Sequence, residues 1–271
     1  MRAASALLAV LLIAASAPHA ITFNADNNMD SPQPKAPLAQ WQDAPGRKRV
    51  ELFVKGAILR GYSYTGKVER GPVVVLFGGS GNMVKAHDGA ARGFARHASR
   101  VVWYDYRGYG FSGGTAHYDD LLADALRVYD SVLAGSEVKR IVPFGYSMGT
   151  AIAEYVALNR QVAGYVLAAP WSDFNAVLRY QDPKHTYRLT PQAASETDEV
   201  AMVRRIRAPL LIFQGTRDDA IPPTQGPRLE RYAASPDKRF VAIVGAKHNG
   251  LLENPQSQAA VAGFLMHVTN L

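Results

Sequence analysis

An apolar run at 141–144 leads into Gly145-Tyr146-Ser147-Met148-Gly149, and an alanine-rich stretch of helical pattern follows at once. No other stretch restricts the fold as much. A strand that turns straight into a helix through Gly-x-Ser-x-Gly is the context in which that motif carries meaning. The turn is sharp, and glycine at either side leaves no Cβ to crowd the neighbouring strand and helix. A serine held at its tip exposes its hydroxyl at the expense of a strained backbone. The N–H of Met148 then opens a helix, where it can face a developing negative charge. The bland alternative is a glycine-punctuated βα turn with an incidental serine, so the partners available to Ser147 matter.

The remainder of the chain alternates strand and helix. The continuous apolar run at 73–77 has the composition of a strand covered on both faces, and further strands are expected at 101–106, 163–169, 209–213 and 239–244. Between them, Leu121, Leu122, Ala125, Leu126, Val128, Tyr129 and Val132 form a helical stripe. A last helix is expected at about 255–267. Ahead of the series, 50–54 and 58–64 read as a hairpin split by Lys55-Gly56-Ala57. This pattern predicts an α/β fold, a mostly parallel central sheet with helices on both faces. Ligands then bind at the carboxyl ends of the strands. The alternation breaks at 171–207, expected to be a short inserted cap over that edge, with a helix after Glu196. Gly61 to Lys67 has phosphate-loop spacing, but Val68 replaces the required Ser or Thr and no helix follows. It reads as a strand and a turn.

Residues 1–20 have the layout of a signal peptide: Met1-Arg2, an apolar stretch from Ala3 to Ala15, then small residues. Cleavage after Ser16 or Ala20 is favoured, because cutting after Ala17 would leave Pro18 first. Export to the periplasm or outside the cell is the expectation, with an uncleaved amino-terminal anchor as the alternative. Residues 21–48 form a polar leader, and 49–271 the folded domain.

The chain has no cysteine, which excludes disulfides and thiolate metal sites. Its formal net charge of +7 favours anionic neighbours, peripheral contact with an anionic membrane among them, although a plainly soluble basic protein has the same balance. The basic residues are scattered, so nucleic-acid binding is not expected.

A serine hydroxyl needs a base, and the base needs a third group to orient it. Two loops that follow strands offer candidates: Asp218 and its neighbour Asp219 in one, His248 in the other. The order Ser, Asp, His is that of α/β-hydrolases. From about Val50 onward the chain resembles that superfamily, and most closely its branch of membrane-associated acyl-thioesterases and lysophospholipid lipases. The resemblance is carried by Tyr104-Asp105-Tyr106-Arg107-Gly108-Tyr109-Gly110-Phe111-Ser112-Gly113-Gly114, by the serine motif, by Gly215-x-x-Asp218-x-x-Ile221-Pro222 and by Ala246-Lys247-His248. It implies a triad of Ser147, Asp218 and His248, with Asp218 rather than Asp219 as the acid. It also implies an oxyanion hole from the N–H groups of Met148 and Ser80, although Gly78 stands where relatives often carry histidine. Arg107 is expected to be structural, bonded to nearby backbone.

The expected activity is hydrolysis of a small acyl ester or thioester, with neither metal nor organic cofactor. Trp171, Phe174 and Tyr187 are candidates for an apolar acyl pocket, or for simply packing the cap on the core. Alternatives are a peptidase of the same fold and a non-catalytic binding module on a hydrolase scaffold.

Overall fold

The computed structural model describes residues 35–81, 84–184 and 187–271, and the backbone of 21–23. The expected signal peptide, its cleavage points and residues 24–34 of the leader lie outside the described residues.

The strands, in chain order, are β1 (Ile21–Phe23), β2 (Arg47–Val54), β3 (Ala57–Thr65), β4 (Val73–Phe77), β5 (Arg100–Tyr104), β6 (Ile141–Tyr146), β7 (Tyr165–Ala168), β8 (Tyr187–Leu189), β9 (Leu210–Gly215) and β10 (Lys238–Ile243). The helices described are α1 (Asp88–Ala95), α2 (Tyr118–Ala134), α3 (Gly149–Asn159), α4 (Phe174–Gln181), α5 (Pro191–Glu196), α6 (Glu199–Val203), α7 (Gln225–Tyr232) and α8 (Pro255–Thr269).

Eight strands form one sheet in the order β10-β9-β7-β6-β4-β5-β3-β2. The β2–β3 and β3–β5 pairs are antiparallel and the rest are parallel. The hairpin read at 50–64 thus becomes the antiparallel edge. That edge carries Arg47, Lys48, Arg49 and Glu51, charges that discourage pairing with a further strand. Residues of β4 face alternate layers. Val74 and Leu76 pack with Phe94 of α1 and Leu265 of α8. Val73, Val75 and Phe77 pack with Tyr129 of α2, Val156 of α3 and Leu229 of α7. Every residue of β4, β6 and β9 is buried, which explains their largely apolar character.

The chain leaves β4 towards β5 on one side, then returns to β6 on the other. Connections from a strand that diverge in this way open a crevice at the sheet's carboxyl edge. The loop after β4 and the turn after β6 border it.

The cap segment is more regular than its sequence suggests. Two helices, α4 and α5, precede the one expected after Glu196. Each cap helix opens on a side chain that accepts a backbone N–H: Asp173 from Ala176, Thr190 from Ala193 and Asp198 from Ala201. Such caps, worth about 1 kcal/mol each, let helices of five to eight residues exist where periodicity is too short to see. The leader also rests on the domain. Lys35 bridges to Gly110, Trp41 Nε1–H donates to the Gly61 carbonyl at 2.9 Å, and β1 pairs in parallel with β8. Among the described residues no helix is long and apolar enough to cross a membrane.

Candidate active site

Ser147 sits between the last residue of β6 and the first turn of α3 with φ at +54°. This is the left-handed region that L-residues avoid, held here by its N–H bond to the Ala168 carbonyl on β7, 2.9 Å. The flanking glycines are steric necessities. A Cβ at Gly145 would lie 2.2 Å from the Gly149 carbonyl oxygen, and one at Gly149 would lie 2.1 Å from the Phe77 carbonyl oxygen. The elbow is therefore pressed against the end of β4.

Asp218 follows β9 and His248 follows β10. His248 Nε2 lies 3.1 Å from Ser147 Oγ. Its Nδ1 lies 3.1 and 3.0 Å from the two carboxylate oxygens of Asp218. All three residues are buried, at 7%, 1% and 2% exposure for Ser147, Asp218 and His248, so these contacts act in a medium that screens them poorly. Asp218 Oδ1 also accepts the N–H groups of Ala220 and Ile221, each at 2.9 Å. A carboxylate so placed orients the imidazole with its hydrogen on Nδ1, leaving the Nε2 lone pair towards the serine. The arrangement is able to remove a proton from Ser147 and later return it.

Asp219 points elsewhere. It accepts the backbone N–H of His248 at 3.3 Å and pairs with the Lys247 ammonium at 3.4 Å. Burial works to raise its pKa, but these two donors hold it below the ordinary carboxylate value.

Met148 precedes Gly149, the first residue of α3, with helical φ and ψ, so its N–H belongs to the helix's open end. Ser80 lies in the loop after β4, beyond Gly78, whose carbonyl oxygen accepts the Tyr106 hydroxyl at 2.8 Å. Arg107 differs from expectation. Its main partners are carboxylates: Asp124 at 2.7 Å through two nitrogens and Asp120 at 2.8 Å, with the Lys55 carbonyl at 3.2 Å. Salt bridges to helix α2 give a guanidinium a stronger hold than backbone alone.

Trp171 is buried, its indole N–H donating to the Thr197 carbonyl at 2.8 Å and its ring tilted against Phe174, 5.1 Å between centroids. Trp171 is part of the core and Phe174 packs against it. Tyr187 belongs to β8, and its side chain lies outside the described residues. Among the described residues no group of three or more His, Asp or Glu could hold a metal ion.

Three residues that were not among the expected site residues matter to this geometry. Tyr146 donates its hydroxyl to the His248 carbonyl at 2.8 Å and stacks on the imidazole, centroids 5.2 Å apart. Asp105, buried, accepts Val84 N–H at 2.8 Å and Phe111 N–H at 2.9 Å, tying the segment after β4 to the signature loop. Gln225 Oε1 holds the Ser172 and Asp173 N–H groups, both at 2.9 Å.

A mostly parallel eight-stranded sheet with a serine elbow after β6 is the α/β-hydrolase fold. Residues 69–196 match the family described as serine aminopeptidase, S33; Ser147 falls inside that match, Asp218 and His248 outside it. The chain is similar to the uncharacterized protein Rv2307c of Mycobacterium tuberculosis, 32% identical over 169 residues, 61% of this chain and 59% of that protein. It is also similar to the lysophosphatidylserine lipase ABHD12 of Macaca fascicularis, 27% identical over 192 residues, 61% of this chain and 48% of that one. Among solved structures, an esterase of Pyrococcus furiosus, Pf2001, superposes with a TM-score of 0.69 at 17% identity, covering 87% of this chain and 97% of that one. The chain therefore spans about half to three-fifths of the length of these two curated relatives.

Proposed function

We propose that the protein is a serine hydrolase that cleaves a carboxylic ester or thioester through an acyl-enzyme. The observation that carries this reading is the unbroken series Ser147 Oγ, His248 Nε2, His248 Nδ1, Asp218, with every contact near 3 Å. Ser147 attacks the acyl carbon as His248 takes its proton, and Asp218 stabilises the resulting imidazolium. The N–H groups of Met148 and Ser80 receive the oxyanion. His248 then protonates the leaving alcohol or thiol, and water, deprotonated by the same imidazole, releases the acid. Nothing in this cycle requires a metal or an organic cofactor.

The names of ABHD12, a lipase, and Pf2001, an esterase, favour ester over amide substrates. The description of the matched family as a serine aminopeptidase supports a peptidase as the second reading. Turnover of acyl esters against aminoacyl arylamides separates the two. Labelling by a fluorophosphonate probe tests both, and distinguishes them from a non-catalytic scaffold. Wild type should label and Ser147→Ala should not; labelling that survives the substitution removes Ser147 from the role.

Export is part of the same proposal and rests on residues 1–20, with an uncleaved anchor as its alternative. The mass of the mature amino terminus distinguishes them. The basic surface supports peripheral contact with anionic lipid, which sedimentation with anionic against neutral vesicles would measure.

A further inference from the structure

Two buried glutamates have no part in the hydrolytic cycle: Glu154 on α3, 0% exposed, and Glu199 in the first turn of α6, 1% exposed. Glu199 makes contacts that reveal its protonation. Its Oε2 accepts the backbone N–H of Trp171 at 3.3 Å, and its Oε1 lies 2.5 Å from Thr150 Oγ1. Thr150 Oγ1 lies, in turn, 2.5 Å from the carbonyl oxygen of Ser147. Two oxygens this close need a hydrogen between them. A peptide carbonyl has none to give, so the Thr150 hydroxyl supplies the one facing Ser147. A hydroxyl carries a single hydrogen. The hydrogen between Thr150 and Glu199 must then belong to Glu199, which is a carboxylic acid in this arrangement.

The surroundings agree. From α3, Glu154 faces Glu199 with both carboxyl oxygens unpartnered. Asp198 stands in the turn before α6, and Tyr165 of β7 adjoins Glu154 with its hydroxyl also unpartnered. Helix α7, which packs on α6 as well, carries Arg228, Glu230 and Arg231; Arg228 turns to Asp173, and none of the three acts on either carboxyl. Among the described residues no cation compensates the pair. Burial drives both groups well above the usual carboxylate range, and Glu199 and Asp198 push Glu154 further.

We propose that Glu199 is a positioning residue that works as a neutral acid, tying the cap to the nucleophile elbow through one directed chain of hydrogen bonds. Trp171 N–H donates to Glu199, Glu199 to Thr150, and Thr150 to the Ser147 carbonyl. The peptide group of the strained residue is thereby anchored from the cap side. Ionisation of Glu199 reverses the middle link, because a carboxylate claims the Thr150 hydrogen. Among the described residues, the Ser147 carbonyl then keeps only the Thr150 N–H, at 2.9 Å. The role rests on Ser147 being the nucleophile, but the protonation state can be tested without any catalysis.

Glu199→Gln tests it, because glutamine reproduces the neutral acid at every pH: its amide oxygen accepts from Trp171 and its NH₂ donates to Thr150. An acid whose folded pKa is raised holds its proton more tightly when folded. Its contribution to stability is complete below the unfolded value of about 4.3 and is lost as pH rises through the folded value. The Tm of Glu199→Gln should therefore exceed that of wild type by a margin that widens with pH above about 4.3 and levels off where Glu199 ionises. A margin that is constant, or that turns against the variant as pH rises, overturns the proposal. The fluorophosphonate labelling rate of wild type should carry an alkaline limb, falling about tenfold per pH unit, that Glu199→Gln lacks; the same limb in both chains overturns the positioning role. If Glu199→Gln does not fold, infrared spectra of Glu154→Gln at pH 8 decide. A protonated-carboxyl stretch there supports the neutral acid, and carboxylate bands alone exclude it. Labelling that survives Ser147→Ala would sink the hydrolase reading while leaving the Tm result intact, so the two failures cannot be confused.

Discussion

The Tyr146 hydroxyl donates to the carbonyl oxygen of His248 across 2.8 Å, although 102 residues separate the two. The residue before Ser147 thus carries the loop that presents the imidazole. Burial, with the nearby carboxylates of Asp218, Glu253 and Asp219, raises the pKa of this phenol above the ordinary tyrosine value. Tyr146→Phe leaves the ring stacked on His248 but strips a buried carbonyl of this donor, which costs about 1–3 kcal/mol. Denaturant unfolding should register that loss, and kcat for ester hydrolysis should fall more than KM rises. An unchanged unfolding midpoint would mean that the bond contributes nothing.

Asp218 and Asp219 are adjacent in sequence and opposite in geometry. Asp218→Asn should lower kcat by about 10⁴-fold, because the amide favours the wrong imidazole tautomer. Asp219→Asn removes only a lysine pair, 54% exposed on the aspartate side, and weakens a 3.3 Å bond. Its kcat should stay within a few-fold of wild type. Steady-state kinetics of the two variants side by side check this; equal losses would move the acid's role to the pair.

Asp105 has its pKa pushed up to about 6, chiefly by burial, against the Val84 and Phe111 N–H groups that pull it down. The folded chain binds this proton more tightly than the unfolded one. Stability from this group is full below about 3.8 and declines as pH rises through about 6, by about 3 kcal/mol in all. Asp105→Asn cannot titrate, so its unfolding free energy should lose that decline. It should also weaken the loop, since Val84 and Phe111 donate to different carboxylate oxygens and asparagine replaces one of them with an NH₂ that cannot accept. Urea unfolding of both chains between pH 4 and pH 7 tests this; parallel curves would deny Asp105 the shift.

Gly149→Ala sets two effects against each other. Alanine gains about 1 kcal/mol over glycine in a helix. Its Cβ would meet the Phe77 carbonyl oxygen at 2.1 Å, and relieving such a clash costs about 1–3 kcal/mol or more because the obstacle is backbone. The clash should win. Tm should drop and activity with it, because the displaced strand end leads into the loop holding Ser80. A rise in Tm with full activity would show that the elbow has room to spare.

Much of the fold could be read along the chain, because parallel strands buried on both faces are written as uninterrupted apolar runs. The turn chemistry at 145–149 was equally legible from its glycines and strand-to-helix context, although only Gly145 is demanded by neighbours in sequence; Gly149 is demanded by the Phe77 carbonyl on β4. Helices α4 and α5 were not, being too short to show a period and marked only by caps. Arg107 was assigned to backbone because carboxylates on another helix cannot be located from sequence spacing.

By itself the sequence determined the strand–turn–helix at Ser147, the alternation that makes a parallel sheet, and the presence of Asp218, Asp219 and His248 in loops after strands. These are local properties, set by steric and apolar patterns within a few residues. Only the tertiary structure decided which aspartate faces His248, that Tyr146 supports the histidine loop, and that Glu199 meets Thr150 beside Ser147 with no cation nearby among the described residues. Those relationships join residues 30 to 102 positions apart. Their energies depend on distance and burial in three dimensions, which no pattern along the chain encodes.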